Sequence, residues 1–153
     1  AKAEGVATSG MFKNALKRRR CLILADGFYE WRELTDGKPV RITLSSGDLF
    51  AFAGLWERWS PREGEEGEAF SSCAIVTTTP NELIAPIHNR MPVILGRREE
   101  TLWLDPELPA EGAASLLKPY PAEAMAMYEV SARVNSVRNK GPELIVPVQQ
   151  SPG

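Results

Sequence analysis

Residues 21–31 read CLILADGFYEW, followed by Asp36-Gly37 and then, at 40–45, by VRITLS. Short runs of branched and aromatic residues bounded by turn formers predict strands rather than helices. CLILA and GFYEWREL are then the first two strands, and Asp36-Gly37 joins the second to VRITLS as a hairpin. Inside that hairpin one carboxylate, Glu30, stands between two large rings, Tyr29 and Trp31. An unpaired charge in such a place costs free energy, so Glu30 is either an ordinary wet strand position or a residue kept for its chemistry.

Working outward, TSGMFKNALKRRR spaces Met11, Phe12, Ala15 and Leu16 along one helical face, with Thr8 or Ser9 to cap it and basic residues in its last turn. A turn at Ser46-Gly47-Asp48 leads into the strand of FAFAGLWERW, and the polar PREGEEGE is a loop before AFSSCAIVTTT. Asn81 to Ala85 make one helical turn, RREETLWLD and PAEGAASLL are short helices, and AMAMYEVS and ELIVPV read as closing strands. The fold class expected is α+β, an antiparallel, barrel-like sheet core with short flanking helices. A chain of 153 residues is the size of one domain, so residues 1–153 are expected to form a single one.

Composition narrows the function. Hydrophobic content of 43% with 25% charged residues is that of a soluble globular chain, and no apolar run approaches the length of a membrane span. The single histidine, His88, and the lack of a Cys-x-x-Cys pair remove the usual metal sites, so no metal and no cofactor are expected. Cys21 and Cys73 lie in apolar strand-like runs and read as buried thiols, which suits a reducing cytosol and a cytoplasmic location. Net charge is −2, yet Lys13, Lys17, Arg18, Arg19 and Arg20 cluster early while Glu63, Glu65, Glu66 and Glu68 fill the acidic loop. A basic cluster beside a groove holds phosphates even when the whole chain is slightly acidic; a solvated helix end looks the same.

Strand alternation puts Phe28, Glu30 and Arg32 on one face and Tyr29, Trp31 and Glu33 on the other, which makes Arg32 a possible partner for Glu30. The alternative is that aromatic walls exclude water around Glu30 and favour its protonated form, as a general acid requires. In PIHNRMP the flanking prolines favour an extended, stiff loop that carries His88, Asn89 and Arg90 together. An acid–base group, an amide and a permanent cation within three positions fit an anionic substrate, though a lone histidine also serves structure. TTTPNEL offers Thr77, Thr78, Thr79 and Asn81 at a strand end, able to bind a phosphate or only to cap the turn. Trp31, Trp56, Trp59 and Trp103 read as core or barrel-closing residues before they read as base-stacking platforms.

Taken together, RRRCLILADGFYEW, FAFAGLWERW, CAIVTTTPNELIAPIHNRMPVIL and VSARVNSVRNKGPELIVPV resemble the SOS response-associated peptidase (SRAP) family in block order over nearly the whole chain. The resemblance implies a mixed α/β fold around an antiparallel barrel. It also implies a protein that acts on abasic sites in single-stranded DNA and crosslinks to them covalently, in a family first proposed to be thiol autopeptidases. By motif, Glu30 and His88 are the implied catalytic residues, and Lys2 stands where a DNA-contacting arginine is usual; Trp31, Thr78, Asn81, Arg90, Arg19 and Arg20 are the further DNA contacts expected from the residues themselves. The family's asparagine would fall just before Ala1, and its nucleophile, the cysteine after the initiator methionine, several tens of residues upstream; neither Cys21 nor Cys73 matches it. The expectation is therefore the C-terminal two thirds of an SRAP domain, acting as a monomer or paired with the missing N-terminal segment. Two rivals remain: a non-catalytic single-stranded DNA-binding module, and a cysteine peptidase using Cys73 with His88.

Overall fold

The structure is a computed structural model and describes residues 1–64 and 66–148; Glu65 of the acidic loop lies outside the described residues. In chain order the helices are α1 (Lys13–Arg18), α2 (Arg97–Leu104) and α3 (Ala110–Ser115). The strands are β1 (Arg20–Ala25), β2 (Phe28–Trp31), β3 (Pro39–Leu44), β4 (Phe50–Trp59), β5 (Phe70–Ile75), β6 (Thr77–Thr78), β7 (Met91–Pro92), β8 (Ile94–Leu95) and β9 (Met125–Glu129). The chain divides into two compact units, each assembled from three separate stretches. One comprises Ala1–Leu24, Phe50–Thr79 and Pro92–Tyr120; the other comprises Ala25–Leu49, Pro80–Met91 and the stretch from Pro121 onward.

The first unit is built on β4. Its N-terminal half is buried and carries alternating large and small residues, Phe50, Phe52 and Leu55 with Ala51 and Ala53. Strand β1 lies on one side of β4 and β5 on the other, and β8 also pairs β4, antiparallel at Ala51↔Leu95 and Phe52↔Ile94. Gly54 leaves the space that β1 needs: a Cβ there would meet the Cys21 sulfur at 2.8 Å and Ile23 Cδ1 at 2.9 Å. Helices α1, α2 and α3 contribute Ala15, Leu16, Trp103 and Ala113 to one apolar core with Val6, Leu55, Val76, Val93 and Leu95. Trp103 is its largest fully buried side chain, and its indole N–H donates to the Cys21 carbonyl at 3.0 Å.

The second unit holds an antiparallel sheet in the order β2-β3-β9. Gly37 takes φ +70° in the turn that begins the return into β3, a conformation glycine adopts without the steric cost other residues meet. Val40 and Ile42 are fully buried, and Ile84, Ile87, Met91, Met125, Val130 and Leu144 are the other buried apolar residues among the described residues of this unit.

Several expectations change. The class stands, antiparallel α+β, but among the described residues none of the three sheets closes into a barrel: β1 and β5 end one order, β2 and β9 another, and β6 pairs with β7 alone. ELIVPV is not a strand, since Pro142–Ile145 forms a 3-10 turn and only Pro147 bridges back, to Val130. Helix α1 is regular only from Lys13, although Ser9 Oγ does accept the Met11 and Phe12 N–H groups. Cys21 is half-buried and Cys73 is exposed, because β5 is an edge strand paired only to β4. Burial, and then the neighbouring Cys73 thiol, push the Cys21 thiol above its ordinary value. Among the tryptophans only Trp103 is fully buried; Trp56 and Trp59 are exposed at 38% and 42%.

The close fit at Gly54 makes it a sensitive place. Gly54→Ala is expected to cost about 1–3 kcal/mol by forcing β1 away from β4, read as a lower urea midpoint with an unchanged denaturant slope.

Candidate active site

The site belongs to the second unit and begins with where β2 stops. Trp31 ends the strand, and the next residues turn: Glu33 N–H donates to the Trp31 carbonyl at 2.7 Å, and the N–H groups of Thr35 and Gly37 donate to the Arg32 carbonyl at 2.9 and 3.0 Å. Asp36 clamps this turn. Its carboxylate accepts Nε and Nη2 of Arg32 at 2.9 and 2.8 Å and the Lys38 N–H at 3.1 Å. The same Arg32 Nη2 donates to Glu129 on β9 at 2.8 Å, which ties the turn to the far strand of the sheet. Desolvation raises the Asp36 pKa, but the Lys38 N–H and the Arg32 guanidinium outweigh it and hold the carboxyl below its usual value. Arg32 is held above its own ordinary value, the bonds to Asp36 and Glu129 outweighing a larger single contribution from desolvation that lowers it. The expected Arg32–Glu30 pairing is therefore replaced: Arg32 is committed to Asp36 and Glu129.

Glu30 lies within β2, opposite Val40, with its side chain 20% exposed. Its Oε1 accepts the N–H of Trp31 at 3.1 Å, which fixes one carboxylate oxygen. Trp31 is fixed in turn, its indole N–H donating to Asn135 Oδ1 at 2.7 Å. The glycine that precedes this strand has a packing reason: a Cβ at Gly27 would come 2.7 Å from Nε of Arg41, a buried guanidinium paired with Asp26 at 3.0 Å.

His88 arrives from the loop after Pro80. Asn81 Oδ1 accepts the N–H groups of Leu83 and Ile84, both at 3.1 Å, so Asn81 caps the turn. The His88 N–H closes it on the Ile84 carbonyl at 2.9 Å, while Ile84 and Ile87 anchor the loop in the core. The Ile87 carbonyl accepts the Leu34 N–H at 3.3 Å, joining this loop to the turn after β2. The outcome is a three-residue cluster: His88 Nε2 stands 3.3 Å from Glu33 Oε2 and 4.0 Å from Glu30 Oε1. On the other side of the ring, Nδ1 is 3.1 Å from the Arg90 nitrogen and 2.9 Å from the Arg90 oxygen. A charged ring donates from Nδ1 to that oxygen and from Nε2 toward Glu33; a neutral ring with its proton on Nε2 accepts the Arg90 N–H instead. Among the described residues no group of three or more His, Cys, Asp or Glu side chains is placed to hold a metal ion.

The structure thus brings Glu30, Trp31, Asn81, His88 and Arg90 into one unit and puts Glu30 beside His88. Sequence reasoning missed Glu33. Alternation assigned it to the opposite face, and alternation fails because the strand ends two residues earlier; the Asp36-Gly37 turn signal was the available warning.

The remaining candidates belong to the other unit. Lys2 is exposed and its backbone bridges Thr77. Thr78 is buried. Arg20 is an internal clamp: it donates to the carbonyls of Trp103 (2.6 Å), Leu16 (2.8 Å) and Asp105, and its guanidinium lies 5.8 Å from the Trp103 ring centroid. Burial lowers its pKa, with Asp105 opposing. Arg19 bonds Glu57 at 2.6 Å and the Trp56 carbonyl at 3.3 Å. Of the basic cluster, Lys13, Lys17 and Arg18 are exposed.

Three comparisons bear on this geometry. A family model described as SOS response associated peptidase (SRAP) matches residues 1–137. The abasic site processing protein YoqW of Bacillus subtilis is 48% identical over 149 residues, 95% of this chain and 65% of that protein. The abasic site processing protein HMCES of Gallus gallus is 37% identical over 155 residues, 88% of this chain and 45% of that protein. Among solved structures, a Bacteroides thetaiotaomicron protein superposes with a TM-score of 0.87 at 30% identity, covering 97% of this chain and 65% of that one. The chain therefore spans about two thirds or less of the length of these relatives.

The Asp36 clamp has a pH signature. Because its folded pKa is depressed, its stabilisation is complete above the ordinary value of 3.8 and is lost as the pH falls through the lower folded value. The gap in urea midpoint between the native chain and Asp36→Asn is expected to be constant near pH 7 and to narrow at pH 3; a gap that widens at pH 3 contradicts the clamp.

Proposed function

The chain belongs to the SOS response-associated peptidase family, and we propose that it recognises abasic sites in single-stranded DNA and supplies the proton-transfer groups for their covalent capture. The observation that carries this reading is the convergence of His88 Nε2 with Glu30 Oε1 at 4.0 Å in one unit, on two motifs that lie 58 positions apart in the sequence.

The chemistry requires such a pair. An abasic sugar must open: the bond from C1′ to the ring oxygen breaks, that oxygen takes a proton, the C1′ hydroxyl gives one up, and an aldehyde is left. A cysteine α-amine adds to the aldehyde and expels water to give an imine, and the adjacent thiol then adds to the imine carbon, closing a thiazolidine ring. Glu30, held by the Trp31 N–H, is suited to deliver the proton to the sugar oxygen. His88 beside it is suited to carry protons to and from the imine nitrogen. Both nucleophiles come from a cysteine with a free amine, which neither Cys21 nor Cys73 is. The covalent step therefore belongs to the native protein bearing that residue, and this chain contributes the acid–base pair and the DNA surface. Within the unit that holds Glu30 and His88, Arg90 is the cation proposed to hold a flanking phosphate, with Trp31 beside the sugar; Lys2, Lys17 and Arg18 of the other unit are proposed phosphate contacts in their own right.

The test incubates the full-length native protein with single-stranded DNA carrying one abasic site and measures the rate of a denaturant-resistant band. Glu30→Gln and His88→Asn are each expected to slow it by about 100-fold, the lower end for acid–base groups. Unchanged rates in both would remove the proposed roles. Neutralising Lys17 and Arg18 together is expected to flatten the slope of log affinity against log salt by roughly 0.7 for each phosphate that is no longer neutralised; an unaltered slope would take these two out of the DNA surface.

A further inference from the structure

We infer that Glu33 is a positioning residue for His88: it fixes which ring nitrogen carries the proton, within the site whose reaction is proposed above. The argument starts from the four groups that face the imidazole. Nδ1 meets the backbone N–H and the backbone carbonyl of Arg90, at 3.1 and 2.9 Å. Nε2 meets two carboxylates, Glu33 at 3.3 Å and Glu30 at 4.0 Å.

A neutral imidazole has one N–H and one lone pair, so only two arrangements exist. With the proton on Nδ1 the ring donates to the Arg90 carbonyl, but the bare Nε2 then points its lone pair at two anionic oxygens, which is repulsive. With the proton on Nε2 the ring donates toward the carboxylates, and bare Nδ1 accepts the Arg90 N–H. The carboxylates therefore select the second form, and the nearer one dominates because Coulomb energy falls with distance. Glu33 is the nearer. Glu30 is further off, and the oxygen it presents already accepts the Trp31 N–H.

This divides labour between two acids three residues apart. Glu33, on the turn and 65% exposed at its side chain, orients the ring; Glu30, 20% exposed on the strand, is left to meet the substrate. The resting site thus presents a histidine with a proton already on the nitrogen that faces Glu30. The turn clamped by Arg32 and Asp36 carries Glu33 to that place.

His88 is the single histidine of the chain, so its ring nitrogens give one unambiguous pair of ¹⁵N resonances. On the neutral ring, at the alkaline end of a titration, the native chain is expected to show a protonated Nε2 and a bare Nδ1. Glu33→Gln keeps the shape and removes the charge, and its carboxamide can donate as well as accept, so the Nδ1–H form becomes allowed. Both ¹⁵N shifts are then expected to move toward each other as the two forms mix. Glu30→Gln, the reference, is expected to move them less. A native Nδ1–H ring, identical spectra for native and Glu33→Gln, or a larger movement in Glu30→Gln each overturns the assignment. Glu33 is an exposed turn residue, and the backbone amide spectrum of Glu33→Gln verifies that the fold is kept. No DNA enters the measurement, so the tautomer assignment and the proposed reaction stand or fall separately.

Discussion

The Arg32 guanidinium holds Asp36 on one side and Glu129 on the other, and this clamp decides where β2 ends and what its end carries. The clamp works together with left-handed Gly37 and the backbone bonds to the Trp31 and Arg32 carbonyls, and the turn they make together takes Glu33 off the alternating face opposite Glu30. The turn bonds back on the Arg32 carbonyl, the Leu34 N–H reaches the Ile87 carbonyl, and the histidine loop is drawn to the end of the strand. The cluster of Glu30, Glu33 and His88 is thus a product of how a hairpin is terminated, and its geometry is set by charged groups that themselves take no part in the proposed chemistry.

Rigidity in this site comes from short bonds to the backbone more than from ion pairs. Glu30 is held by the Trp31 N–H, Trp31 by Asn135, and His88 by the Arg90 backbone and the closed turn behind it. Exposed ion pairs contribute little by themselves, typically below about 1 kcal/mol. What the Glu33–His88 contact supplies is direction for a ring whose two nitrogens differ in role. A cluster held this way needs no large core beneath it.

Much of the fold was legible in the sequence because its signals were local. Asp36-Gly37 announced the hairpin, and the left-handed Gly37 confirms why glycine stands there. The apolar spacing of α1 and the helical segments around Trp103 were visible for the same reason. Burial was not, because it depends on what covers a strand: β5 carries the same apolar pattern as a core strand yet lies at an edge, which leaves Cys73 exposed. The basic cluster was likewise uneven in a way spacing does not show: Arg19 and Arg20 satisfy carbonyls and Glu57, while Lys13, Lys17 and Arg18 face solvent. Glu30 and His88 were found through motif resemblance, and nothing in spacing alone could have paired residues so far apart. Glu33 escaped because one broken alternation reverses a whole face.

The central claim is that Glu30 and His88 act on one proton-transfer step as a unit, and a double-mutant cycle on crosslinking to abasic single-stranded DNA tests it most directly. Groups that work together lose their joint contribution when either is removed. The account expects the native protein carrying both Glu30→Gln and His88→Asn to crosslink no more than a few-fold slower than the slower single variant. Losses that multiply, so that the double variant is slower by the product of the two single effects, would show two independent contributions and contradict it.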